Sequence, residues 1–397
     1  MERLYWNNDW KFAETWEEAM KEAVYPENEM EDVRLPHTCK ELPYHYFDEH
    51  AYQMLCGYRR HFMAPEAWQG KSVELTFEGV AHDAVVYVNG TEVKAHHCGY
   101  TAFFVELAKY LKYGEDNVLA VRVDSRENLN IPPFGYAIDY MTFGGMYREV
   151  YVQVRNKTHL ADVFVKSQIH PLQVTTEITV QNISDGITLQ QEIRKKGEGA
   201  YSPLGKKPVK QANVQTVFPV QEICLWEPEN PHLYEIRTSL WKNGEMIDAR
   251  VDITGFREAG FRKDGFYLNG KKLRLRGLNR HQSYPYVGYA APASMQIFDA
   301  DILKKELGVN AVRTSHYPQS QDFIRRCDEI GLLVFTEFPG WQHIGDEEWK
   351  RQAVQNLKEM IVQYRNHPSI ILWGVRINES QDDDVFYRET NRVAHEL

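Results

Sequence analysis

The chain has 397 residues, 43% hydrophobic and 26% charged, with a formal net charge of −10. That length exceeds one ordinary hydrophobic core, so two or three globular domains are expected. The negative balance argues against nucleic-acid phosphates as partners, and no apolar run approaches the ~20 residues of a membrane span.

The opening MERLYWNNDWKF lacks a charged-then-apolar secretory pattern, so a cytoplasmic protein is expected unless a signal has been removed. The five cysteines (Cys39, Cys56, Cys98, Cys224 and Cys327) share no CxxC spacing and are expected as buried, reduced thiols. From about 58 to 155 the pattern has period two, in SVELTFEGV, AVVYVNGTEV and NVLAVRVDS. Asn89-Gly90 marks a hairpin turn. Residues 1–156 are therefore expected as one β-sandwich of jelly-roll type, the first 57 residues supplying lead-in strands and loops. From 157 to 255 short strands recur in ADVFVKSQI, TTEITVQN, YEIRTSLW and RVDITGF, as in a small immunoglobulin-like sandwich. Its basic middle, IRKKGEGAYSPLGKKP, reads as a solvated hairpin or loop.

At 256 the period changes. KLRLRGLNRHQ reads as a strand, and SMQIFDADILKKELG as a helix with apolar positions 298, 302, 303 and 307. NAVRTSHYP is a strand, and SQDFIRRCDEIG a helix capped by Gly331. LLVFTEFPG is a strand, followed by a helix with Ala353, Leu357, Met360, Ile361 and Tyr364 on one face. SIILWGVRINE and a last helix complete four strand–helix units with strands apolar throughout, as a parallel sheet covered on both faces requires.

The C-terminal ends of these strands collect Asn279, Arg280, His281 and Gln282; Arg313, Ser315 and His316; Glu337; and Arg376, Asn378 and Glu379. In a (β/α)8 barrel this end of the strands carries the chemistry. His281, His316 and Glu337 lack the spacing of a metal motif, and no GxSxG elbow is present. Carboxylates supported by Arg, His and Asn suit acid–base work on a glycosidic oxygen.

NAVRTSHYPQSQDFIRRCDEIGLLVF (310–335) and NHPSIILWGVRINE (366–379) closely resemble the two signature stretches of glycoside hydrolase family 2, which holds β-galactosidases, β-glucuronidases and β-mannosidases. DYMTFGGMYREV (139–150), LWEPENPHLY (225–234) and LRGLNRHQ (275–282) resemble its sugar-binding sandwich, immunoglobulin-like domain and first barrel strand. The resemblance implies a retaining hydrolase of terminal β-glycosides, with Glu379 as general acid/base and Asn378 on the sugar 2-hydroxyl. His316, His281 and Asp139 are expected at the substrate, with Arg313, Glu337 and Arg280 as pocket support. The resemblance also implies that 256–397 is the first half of a (β/α)8 barrel; the family's nucleophile belongs to its seventh strand, so it is expected outside this chain. In EFPGWQHIG, Trp341 stands where a magnesium-binding Glu is expected, so neither magnesium nor sodium is expected as a required cofactor. A β-galactosidase is the first expectation, with a carbohydrate substrate and a homo-oligomeric parent. A β-glucuronidase and a non-catalytic sugar-binding fragment are the alternatives.

Overall fold

The structure is a computed structural model that describes residues 3–43, 45, 48–135 and 138–397. The N-terminal part is two antiparallel sheets packed face to face. One joins Leu4–Tyr5, Val150–Arg155, Ser72–Phe77 and Phe103–Glu106; the other has six strands, among them Leu55–Met63, Asp83–Val88 and Asp116–Asp124. Val73, Leu75 and Phe77 meet Tyr58, Val86 and Val121 in the core between them. Asn89 and Gly90 both have positive φ (50° and 84°), as a two-residue hairpin turn requires.

The segment expected as a lead-in does more than enter the domain. Trp16, Met20 and Met30 cover the outer face of the six-stranded sheet over Val85, Tyr87 and Ala120. This second cover explains why Asp83–Val88 is apolar at consecutive positions, where a sheet wetted on one side would alternate.

The second part pairs a three-stranded with a four-stranded antiparallel sheet. The basic middle is a hairpin between Ile187–Lys195 and Ser202–Pro208. Cys39, Cys56, Cys98 and Cys327 are buried, but Cys224 is exposed. It lies in the irregular segment between two strands, where no sheet covers it.

KLRLRGLNRHQ is divided, contrary to the single strand expected. Lys271–Leu273 ends an antiparallel meander with Ala259–Arg262 and Gly265–Leu268, while Gly277–Arg280 begins a parallel sheet. The Asn310 side chain forms the break: its Nδ2 donates to the Arg274 carbonyl (2.9 Å) and its Oδ1 accepts from the Arg276 amide (2.7 Å). The parallel sheet continues with Ala311–Thr314, Leu333–Glu337 and Ile370–Gly374, in chain order. Among the described residues, its first and fourth strands each pair on one side only.

Helix α1 (Ala293–Asp301) runs on through a π-helical turn, Ile302–Glu306. Its predicted apolar face is only partly buried: Leu303 is covered, whereas Phe298 and Leu307 are exposed. The buried positions of α1 are Gln296 and Ala300, because Gln296 serves a buried arginine described below. Helix α2 (Gln321–Ile330) starts on Ser320, whose hydroxyl accepts from the Asp322 amide, and stops at Gly331. There φ is +70° and an added Cβ would lie 2.2 Å from the Pro228 carbonyl oxygen. Helix α3 (Glu347–Tyr364) buries the predicted face of Ala353, Leu357, Met360, Ile361 and Tyr364. Helix α4 spans Asp384–Glu396. Among the described residues no helix is long and apolar enough to cross a membrane.

The three parts are bound together by polar contacts. Arg148, buried in the N-terminal sandwich, donates to Gln282 Oε1 (3.1 Å) and the Pro318 carbonyl (3.0 Å). Glu359 of α3 accepts from the Thr101 hydroxyl (2.6 Å). Trp226, within LWEPENPHLY, donates from Nε1 to the Asp328 carbonyl (2.9 Å), which fixes the immunoglobulin-like part on α2.

One interface carboxyl should make stability depend on pH. Glu78 is 3% exposed, 3.6 Å from Arg3. Burial pushes its carboxyl up from 4.5 to about 7; Arg325 and Arg3 oppose the shift, and Glu149 and Asp322 add to it. A carboxyl raised by folding favours the folded state while protonated. Its contribution is full below about 4.5 and is lost as pH rises through about 7. Glu78→Gln is therefore expected to stabilise the protein at pH 8 relative to pH 4.5, by up to ~3 kcal/mol. Urea unfolding at the two pH values checks this, and the same effect at both would contradict it.

Candidate active site

The sheet brings the predicted strand ends to one mouth. Its register pairs Asn279 with Arg313 and Arg313 with Phe335, so these positions share one face. Arg280 pairs with Thr314 and lies on the other face.

Glu337, 2% exposed, is the centre of the arrangement. Arg313 grips it in two-pronged fashion: Nη2 lies 3.0 and 2.8 Å from the two carboxylate oxygens, and Nε lies 3.0 Å from Oε2. His316 Nδ1 lies 2.6 Å from Oε1, and since a carboxylate only accepts, Nδ1 carries the proton. This buried charge is thus neutralised and saturated with donors. Arg313 Nη2 also donates to Asn378 Oδ1 (2.8 Å). That bond occupies the amide oxygen and leaves the Nδ2 donors for another acceptor.

Glu379 follows at the tip of the fourth strand. Its φ is +54°, in the left-handed region that costs a residue with a Cβ on the order of 1–2 kcal/mol. Glu379 is exposed, and its Oε2 accepts from Gln342 Nε2 (3.1 Å). The third-strand loop is tied to it, because the Gln342 amide donates to the Asn378 carbonyl (2.8 Å).

His281 lies beside His316, ring centroids 5.6 Å apart, and its Nδ1 is 3.1 Å from the Tyr317 hydroxyl. Burial, and then the neighbouring His316, hold its pKa below the ordinary imidazole value, against Asp139 and Glu337. Asp139 is exposed on the sandwich loop that crosses this mouth, and the adjacent Tyr140 ring lies 5.2 Å from His281 and 6.0 Å from His316. Trp341 closes the other side, 4.9 Å from His316.

Of the predicted residues, Glu379, Asn378, Arg313, Glu337, His316, His281 and Asp139 are therefore gathered here. Arg280 is not. Its guanidinium holds Asp299 through Nε (2.8 Å) and Nη2 (2.5 Å), Gln319 through Nη1 (2.6 Å) and Gln296 through Nη2 (2.8 Å), behind the sheet. It supports the helix layer. Arg376 is also turned away, paired with Asp382. Sequence reasoning missed Tyr140, Tyr317 and Gln342, although each is next to or within a stretch already singled out. Trp341, read as a missing ligand, is an aromatic wall. Its indole offers no oxygen ligand of the kind a divalent cation prefers.

Comparison with known proteins places this geometry in a family. Residues 32–155, 158–257 and 260–394 match, in order, the sequence profiles of "Glycosyl hydrolases family 2, sugar binding domain", "Glycosyl hydrolases family 2" and "Glycosyl hydrolases family 2, TIM barrel domain". The chain is 48% identical to a beta-galactosidase of Thermoanaerobacter pseudethanolicus over 402 residues, covering 99% of this chain and 54% of that protein. It is 46% identical to a beta-galactosidase of Thermoanaerobacterium thermosulfurigenes, covering 98% and 56%. Among solved structures, a Bacteroides uniformis beta-glucuronidase superposes with a TM-score of 0.88 at 28% identity, over 100% of this chain and 51% of that one. The chain thus spans about half the length of the curated relatives it matches.

Proposed function

The chain belongs to glycosyl hydrolase family 2, and from that premise we propose that the full-length protein hydrolyses terminal β-glycosides with retention, β-galactosides foremost. The observation that carries this reading is the Arg313-centred cluster, which holds Glu337 and orients Asn378 beside an exposed Glu379.

Asn378 Nδ2 donates to the sugar 2-hydroxyl, a contact that strengthens as the anomeric centre gains positive charge. Glu379 protonates the departing oxygen and then takes a proton from the attacking water. Gln342, donating to Oε2, orients that carboxyl. Retention needs a second carboxylate about 5–5.5 Å away as nucleophile. Glu337 is unsuited to that task, because Arg313 and His316 occupy both its oxygens. We assign the nucleophile to the part of the relatives' length that this chain does not span.

Local charge favours a neutral sugar. Arg313 and His316 are committed to Glu337, and Arg376 to Asp382, whereas Asp139 and Glu379 are exposed carboxylates. A uronate would bring a second negative group beside Asp139, while Glu379 holds the proton it must give. The likeness to a beta-glucuronidase structure keeps a β-glucuronidase as the second reading. Initial rates on nitrophenyl β-galactoside and β-glucuronide decide between them. A galactoside preference supports the first reading, and a glucuronide preference overturns it.

No step requires a metal. Given Trp341 in the third-strand loop, EDTA is expected to leave activity largely intact. A collapse reversed by magnesium would contradict this.

A further inference from the structure

Tyr317 lies on the loop after the second barrel strand and is fully buried. Its ring stacks on Tyr100 of the N-terminal sandwich, with centroids 4.4 Å apart and planes at 13°, and it is bordered by Tyr140 and Tyr289. Packed on these sides, the ring has little freedom to turn. Its hydroxyl lies 3.4 Å from the Gln282 backbone amide and 3.1 Å from His281 Nδ1, with the Tyr289 hydroxyl as a further neighbour. Burial raises its ionisation well above the ordinary phenol value, so it keeps its proton.

The amide can only donate, so the hydroxyl accepts from Gln282 and its one proton is free for Nδ1. The reverse assignment, Nδ1–H toward the hydroxyl, would turn the phenol proton away from this 3.1 Å contact and leave it only the Tyr289 oxygen in a buried site. Nδ1 therefore accepts. In the neutral ring that its lowered pKa favours, the proton is then on Nε2. Nε2 has no hydrogen-bond partner among the described residues, and the ring beside it faces His316 and Tyr140 at the mouth.

We infer that Tyr317 is a positioning residue that fixes the tautomer and angle of His281, so that Nε2–H stands as a ready donor to a substrate oxygen. Its kinetic consequence rests on the glycosidase reading; the tautomer does not. The substrate class this favours is one with a hydroxyl that can accept from His281 while donating to the nearby Asp139 carboxylate.

Two measurements test it on the intact protein. Nitrogen-15 NMR of histidine-labelled protein, with the His281 signals identified by their loss in His281→Gln, is expected to find Nε2 protonated and Nδ1 bare. In Tyr317→Phe, which keeps the stacked ring, a mixture of tautomers is expected. A protonated Nδ1 in the unsubstituted protein would overturn the inference, whatever Tyr317→Phe does to folding. In the kinetic arm, Tyr317→Phe is expected to lower kcat/KM roughly tenfold, and to cost little more in a His281→Gln background. Equal losses in both backgrounds would mean that Tyr317 does not act through His281. If the unsubstituted protein hydrolyses no β-glycoside, the functional reading fails and the tautomer alone decides this one.

Discussion

Glu379→Gln in the full-length enzyme is expected to lower kcat/KM for an alkyl β-galactoside by roughly 10²–10⁴-fold, the range that a positioned proton donor contributes. The loss should be far smaller for dinitrophenyl β-galactoside, whose leaving group departs without a proton. The amide keeps the shape of the carboxyl and its contact with Gln342 but cannot give up a proton at neutral pH. A folding defect would lower both substrates alike. The exposed position of Glu379 at the strand tip, on a left-handed backbone, is what a group meeting an incoming oxygen requires. Equal losses for the two substrates would remove Glu379 from the acid role.

Arg313→Met should act on stability as well as activity. Glu337 is 2% exposed and would keep only the hydrogen bond from His316. Removing one member of a buried ion pair typically costs about 3–5 kcal/mol, because the remaining charge is stranded. Asn378 would also lose the donor that orients its amide. Adding Glu337→Gln to the same chain should recover much of the stability, since the stranded charge is gone, but not the activity. Urea unfolding of the single and double variants measures this. A loss under about 1 kcal/mol for the single variant would mean that the pair is more solvated than its geometry implies.

What the sequence conveyed depended on the range of the interaction involved. Asn89-Gly90, the Gly331 stop and the buried face of α3 are set by residues within a turn or two, and they were legible. The break at 274–276 was not, because Asn310, more than thirty residues on, makes it. The cover of Trp16 and Met20 over Tyr87 is likewise tertiary, with no local pattern to announce it. In the site, the family signatures drew attention to the strand ends, but position alone could not separate Arg280 from Arg313. Strand alternation and register do: Arg313 shares its face with Glu337, two residues beyond its partner Phe335, and Arg280 lines up with Thr314 on the opposite face. Tyr317 was passed over because a tyrosine in a packed segment reads as core, which it also is.

The account turns on Glu379 being the acid/base rather than the nucleophile, and the product of azide rescue separates the two. In Glu379→Ala, a covalent glycosyl intermediate should form from an activated aryl galactoside and then stall for want of a base. Azide, small and already anionic, should enter the space left by the carboxylate and attack from the face that water uses, restoring turnover. The account predicts a β-galactosyl azide. An α-galactosyl azide would make Glu379 the nucleophile and contradict it.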